Sequence, residues 1–123
     1  MNLAMNNMVL LSLTVLVATT GQLLLKQGVQ LVGGVSFNGE IILEFIKIIR
    51  SPYIMGGLFA YVCAMGLTLV SLSRVEVSIF ALFTSLSYVL VIIASYFFFN
   101  ESMTLAKIIG SSLIMLGVYL IVR

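Results

Sequence analysis

Histidine and tryptophan are absent from this 123-residue chain, cysteine and proline occur once each, and charged residues make up 8% of it. Each shortage excludes something. Without histidine, the usual general base and the commonest metal ligand are missing. No nucleophile sits beside a base, no acidic or cysteine cluster has metal-ligand spacing, and no glycine-rich phosphate loop occurs. Enzymatic chemistry therefore has no apparatus here, and no cofactor or metal is expected. One cysteine, Cys63, cannot form an intrachain disulfide, so cysteine usage says nothing of the redox compartment. The formal net charge of +2 is too small and too dispersed for nucleic-acid binding.

A soluble domain carries roughly a quarter charged residues. Here 62% of the chain is hydrophobic, in long runs, and the class is integral membrane protein. An apolar slab of about 30 Å takes around 20 helical residues to cross, and four segments qualify: 9–27, 52–72, 77–99 and 104–122. Helices are required because lipid offers no partner to an unpaired backbone group, and the runs are too long and uninterrupted for alternating barrel strands. The N-terminal segment lacks the basic start of a signal peptide and reads as a retained span. The sequence predicts an all-α membrane protein of four spans in one compact bundle, a single domain over 1–123.

Local signals place the ends. Ser51 and the lone Pro52 are cap and first residue of the second span, and Thr104 caps the fourth. Gly33, Gly34 and Gly39 end the first helix in a turn. Residues 39–50 follow, with Glu40, Glu44 and Lys47 on one face and isoleucines and Phe45 around the rest, which predicts a short helix lying on the membrane surface. Lysines and arginines number four on the side of the first and third connections and two on the other. That bias favours those connections in the cytoplasm and is small enough to leave dual insertion open.

The spans also carry marked faces. Gln22, Lys26 and Gln30 recur every four residues, about 40° apart around a helix. Lys26 lies near the end of the first span, where its stem can snorkel to the headgroups; Gln22 is a turn deeper and cannot. No carboxylate lies within a span, so Lys26 has no ion-pair partner within its own helices. Gly56, Ala60, Ala64 and Thr68 form a small-residue stripe suited to close helix packing, and Gly110 and Gly117 mark a close contact within the bundle or, in preference, between subunits. Ser78, Ser85, Tyr88 and Ser95 share one side of the third span. Serines in membrane helices often bond their own backbone, while the deep Tyr88 hydroxyl seeks a partner across a helix contact or lines a cavity.

These residues resemble the four-helix members of the drug/metabolite transporter superfamily (EamA-like and small multidrug resistance-like proteins), which include the aminoarabinose–phosphoundecaprenol flippase subunits. In the first span "TGQLLLKQG" is similar to the flippase subunits' GQ-x3-KQ, matching Gly21, Gln22, Lys26 and Gln27. In the third, "VEVSIFALFTSLSYV" resembles their corresponding stretch, and "FFFNESMT" follows where the family has an aromatic run and an acidic turn, matching Glu101. "GSSLIMLGV" is similar to the dimerisation face of the small multidrug resistance proteins. Those proteins carry an essential glutamate where Ala18 stands, and aromatics where Ala81 and Thr84 stand, which argues against a proton/drug antiporter. Glu76 and Ser78 depart from the flippase pattern of Pro and Gly, and the surface helix has no counterpart in the motifs compared.

The resemblance implies a multi-pass transporter subunit of the cell's inner membrane, acting as a homodimer or as a heterodimer with a similar four-helix chain. Its implied cargo is a lipid-linked sugar, a polyprenyl phosphate or another amphipathic anion, moved by alternating access. Lys26 would attract the phosphate, Gln22 would bond the headgroup, and Ser78, Ser85 and Tyr88 would add polar contacts. Two alternatives stay open: an exporter of small polar or cationic metabolites lacking the usual glutamate, and a structural or regulatory membrane subunit without transport.

Overall fold

The computed structural model describes residues 2–36 and 38–123. Five helices follow one another: α1 (Asn2–Leu31), α2 (Ile41–Arg50), α3 (Pro52–Leu72), α4 (Val77–Phe99) and α5 (Leu105–Val122). Four of them, α1, α3, α4 and α5, are long and apolar enough to cross a membrane. The shorter α2 is amphipathic and buries none of its residues in the protein.

The ends form as the local chemistry dictates. Gly33 and Gly34 take φ of +83° and +88°, a backbone that only glycine adopts without strain, and the chain leaves α1 there. The Ser51 hydroxyl accepts from the Ile54 N–H at 3.4 Å with Pro52 behind it, and Thr104 accepts from the Lys107 N–H at 3.3 Å. At the end of α4, Asn100 turns into the left-handed region at φ +51°, and the Glu101 N–H reaches back to the Ser95 carbonyl.

The helices pack in the order α3, α1, α4, α5, with α1 between α3 and α4, and with α5 resting on α4. Small residues let α1 and α3 approach closely. On α1 the contact face is Thr14, Gly21 and Gly28, and on α3 it is Gly57, Ala64 and Ser71; the spacing is seven residues on both. The Thr14 and Ser71 hydroxyls meet at 3.3 Å. A Cβ on Gly57 would stand 2.9 Å from the Gly21 carbonyl oxygen, and one on Gly28 would stand 2.8 Å from the Ile54 backbone nitrogen. The expected four-residue stripe is thereby corrected. Ala64 is buried and Ala60 meets Gly21, but Gly56 has only a distant methyl near it, and Gly57 makes the backbone contact.

The periphery is different in kind. Val118 is the one buried residue among those of α5, and Gly110 and Gly117 have no atom within 4 Å of where a Cβ would stand. The close contact those glycines permit is not made within the protomer. α1 is 30 residues long, about 45 Å, well beyond an apolar slab of about 30 Å. Asn7 and Lys26 are 19 residues apart, about 29 Å, so they mark the two edges of its apolar stretch. The helix beyond Lys26 stands outside that stretch on the face that carries α2.

Candidate functional site

Lys26 does have an ionic partner. Its ammonium bonds a Glu101 carboxylate oxygen, and the other oxygen lies 3.8 Å from the Lys107 ammonium. The partner comes from outside the helices: α4 ends level with Lys26, and its left-handed cap folds Glu101 back over the helix ends. An acid outside every span in sequence thereby meets a lysine inside one. Lys26 also lies 5.4 Å from the centroid of the Phe99 ring, within cation–π range. Lys107 bonds the Ser102 carbonyl at 3.0 Å, which ties the turn to the start of α5.

Two cations around one carboxylate leave the cluster with a net charge of +1. The hydrogen bond from Lys26, then the charges of Lys26 and Lys107, hold the Glu101 carboxyl below the ordinary glutamate value of 4.5. Lys26 and Glu101 side chains keep 44% and 33% of their surface exposed. The pair is a contact that a stronger anion can enter, not a sealed one.

Next to this cluster, with none of its charged residues in the lining, a groove runs between α1 and α4 in two lobes of about 400 Å³ each that share Leu16, Leu90 and Ile93. Its walls are almost wholly apolar, from Phe97 and Phe98 at the Lys26 end through Leu90 and Ile93 to Phe83 and Met115. A third hollow shares Phe83 and Met115 and reaches Arg123 at the opposite membrane face. Arg123 thus lines one end of the apolar track, and Lys26 stands less than two turns of α1 beyond Thr20 at the other.

The polar residues that line this track are Ser12, Thr19 and Thr20. Ser12, Thr19 and Lys26 recur every seven residues, about 20° apart around the axis and about 10.5 Å apart along it. Thr19 is 6% exposed, and its hydroxyl oxygen has no hydrogen-bond partner, whereas Thr20 bonds the Leu16 carbonyl at 2.8 Å. α1 therefore carries two seven-residue series on opposite sides, small residues toward α3 and a sparse polar ladder toward α4. The four-residue reading missed Thr19. The signal was present as a seven-residue spacing from Lys26, the period that keeps one face aligned over several turns.

The other expected site residues do not converge on Lys26. Gln22 is half-buried on the flank of α1 between its two packing faces, and Gln27 is half-buried near the helix end. Gln30 is exposed. Ser85 bonds its own helix at the Leu82 carbonyl, and Ser78 is exposed at the start of α4. Tyr88 is corrected outright: 62% of it is exposed, on the outer face of α4, so its hydroxyl seeks no partner within the protomer. Among the described residues no group of acids, cysteines or histidines could hold a metal ion.

Residues 3–123 match the EamA-like transporter family. The chain belongs to that family. It is a membrane-transport protein and not an enzyme. It is 33% identical over 112 residues to the probable 4-amino-4-deoxy-L-arabinose-phosphoundecaprenol flippase subunit ArnF of Serratia proteamaculans, covering 88% of this chain and 85% of that protein. It is also 41% identical over 70 residues to the protein of the same description from Sodalis glossinidius, covering 55% of this chain and 54% of that one, about half its length. No solved structure matches the chain. The family, with the four apolar helices, makes the protein a multi-pass membrane transporter.

Proposed function

We propose that this EamA-like protein moves an amphipathic, phosphate-bearing lipid, of the polyprenyl-phosphate-linked sugar class, across the inner membrane as one half of a dimer. The observation that carries the reading is that a two-lysine cluster stands where α1 and α4 end, less than two turns beyond an apolar groove between the same helices. A phosphate at that depth competes with the Glu101 carboxylate for Lys26 and Lys107, since both offer oxygens to the same ammonium groups. The isoprenoid chain lies against the apolar walls of α1 and α4, or in the adjoining lipid. Thr19, with an idle hydroxyl about 10.5 Å deeper than Lys26, meets the polar headgroup on its way.

Three features support this division of labour. The spans hold no acid, so a proton-exchanged cation has no counter-charge within the bilayer. Glu101 is exposed enough to be displaced and is tied to a turn instead of a rigid helix interior. The curated relatives' names also specify a phosphoundecaprenol-linked substrate and a subunit role. Rocking of two protomers about their glycine faces would open the groove to each leaflet in turn.

The test is reconstitution into vesicles with a fluorescent polyprenyl-phosphate sugar, followed leaflet to leaflet. Lys26→Ala should abolish most of the flux while the protein still inserts and assembles. Equal flux from Lys26→Ala, or transport of cationic dyes in place of the lipid, would overturn the reading.

A further inference from the structure

A second cationic hollow lies on the same membrane face as Lys26 but on the far side of α1. It has a volume of about 410 Å³ and sits where the end of α1, the end of α2 and the start of α3 meet. Leu31, Val32 and Pro52 make its apolar floor; Lys47, Arg50 and Tyr53 form the rest of its wall. Ser51 also borders it, but its hydroxyl is occupied in capping α3.

The charge pattern sets this hollow apart. Among the described residues of this membrane face, Lys26 and Lys107 face Glu101, and Lys47 bonds Glu44 at 3.0 Å. Among the described residues Arg50 has no carboxylate within ion-pair reach, although Glu44 lies on its own helix and Glu40 one residue before it. On α2 the polar residues Glu44, Lys47 and Arg50 follow at three-residue intervals. Ile42, Phe45, Ile46 and Ile49 cover the opposite side, exposed and uncovered by protein. Such a helix lies at the water–lipid boundary with its apolar side in the acyl region and its cations at phosphate depth. Tyr53 beside Arg50 belongs to the same level, where amphipathic rings collect.

We propose that this hollow is a binding site for the phosphate of an anionic bilayer phospholipid, separate from the cargo path. Arg50 supplies a two-pronged contact to the phosphate oxygens and Lys47 a second positive charge. Leu31, Val32 and Pro52 pack against the glycerol ester region, and the acyl chains run beside the exposed apolar side of α2. Binding there pins α2 against the α1–α3 pair, the most tightly packed contact in the protein, and leaves the α1–α4 groove free. The occupant is membrane lipid and not free phosphate because the floor is apolar and the hollow adjoins the exposed apolar side of α2.

Native mass spectrometry after reconstitution into phosphatidylcholine bilayers doped with phosphatidylglycerol reads this directly. The wild-type protein should retain phosphatidylglycerol in preference to phosphatidylcholine. Arg50→Gln should lower that retention roughly five- to tenfold, the effect of losing one interfacial cation with its hydrogen bonds. Arg50→Lys should fall between the two, and it serves as the deciding variant if Arg50→Gln inserts poorly. In a Lys26→Ala background Arg50→Gln should lower the remaining retention by the same factor, so failure of the cargo reading and failure of this one are told apart. Undiminished retention by both Arg50 variants would overturn the site. So would equal retention of the two lipids, or release of phosphatidylglycerol by millimolar inorganic phosphate.

Discussion

Glu101 is the residue whose role changes most between chain and fold. It neutralises one lysine and faces a second, and in the proposed mechanism it keeps Lys26 occupied until a phosphate takes its place. Glu101→Gln should remove the competitor and raise the apparent affinity for the phosphate-bearing lipid by roughly three- to tenfold, read from the concentration dependence of vesicle flux; unchanged affinity would mean that Glu101 only holds the turn. The pH response follows from the lowered carboxyl. A carboxylate held below its ordinary value contributes stability above that value and loses it as pH falls through the lowered one. Between about pH 5 and 8 the Lys26–Glu101 contact should therefore be constant, and a flux profile flat in that window is expected from this pair. Thr19 gives the second residue-scale test. Thr19→Val removes an unpartnered buried hydroxyl at nearly constant shape, so the folded protein should be as stable or more so, by up to about 1 kcal/mol in thermal unfolding. Flux of the lipid should fall several-fold nonetheless. A parallel loss of stability would place Thr19 in the packing instead.

Among the elements, α1 does two jobs, and its opposite faces are separately testable. Gly57→Ala sets a methyl against the Gly21 carbonyl and the Leu25 side chain at under 3 Å, and should cost roughly 1–3 kcal/mol of stability in detergent. Gly66→Ala meets nothing within 4 Å and should be neutral, which makes it the matched control. Much of this architecture was legible beforehand. The three later spans, the short amphipathic helix before them, both hydroxyl caps and the glycine exit from α1 follow from apolar run length, residue periodicity, Ser51-Pro52, Thr104 and Gly33-Gly34. What stayed hidden was lateral. Apolar residues point to lipid and to protein alike in a membrane helix, so periodicity does not say which face meets which neighbour. Gly57 could not be told from Gly56, and Tyr88 could not be placed outward. The Lys26–Glu101 contact joins residues 75 apart in sequence through a left-handed cap, and no local pattern announces it.

At the scale of the whole molecule, α5 is the open question that the proposed dimer answers. It rests on α4 and keeps Gly110 and Gly117 clear of any internal neighbour. Gly117→Leu should leave the protomer folded and inserted while reducing dimer cross-linking in lipid several-fold, whether the partner is a second copy or a similar chain. Intact cross-linking would move the interface elsewhere, to the exposed side of α4 that carries Tyr88.

The overhang of α1 has a consequence for where the protein can work. An apolar stretch fixed at about 29 Å between Asn7 and Lys26 makes this helix a gauge of bilayer thickness. A thicker membrane would draw Lys26 below the phosphates and weaken its access to them. A thinner one would expose the apolar turns near it, or tilt the helix away from α4. Flux should therefore pass through a maximum as acyl chain length is varied in reconstituted vesicles, and substitution of Lys26 should flatten that curve along with lowering it.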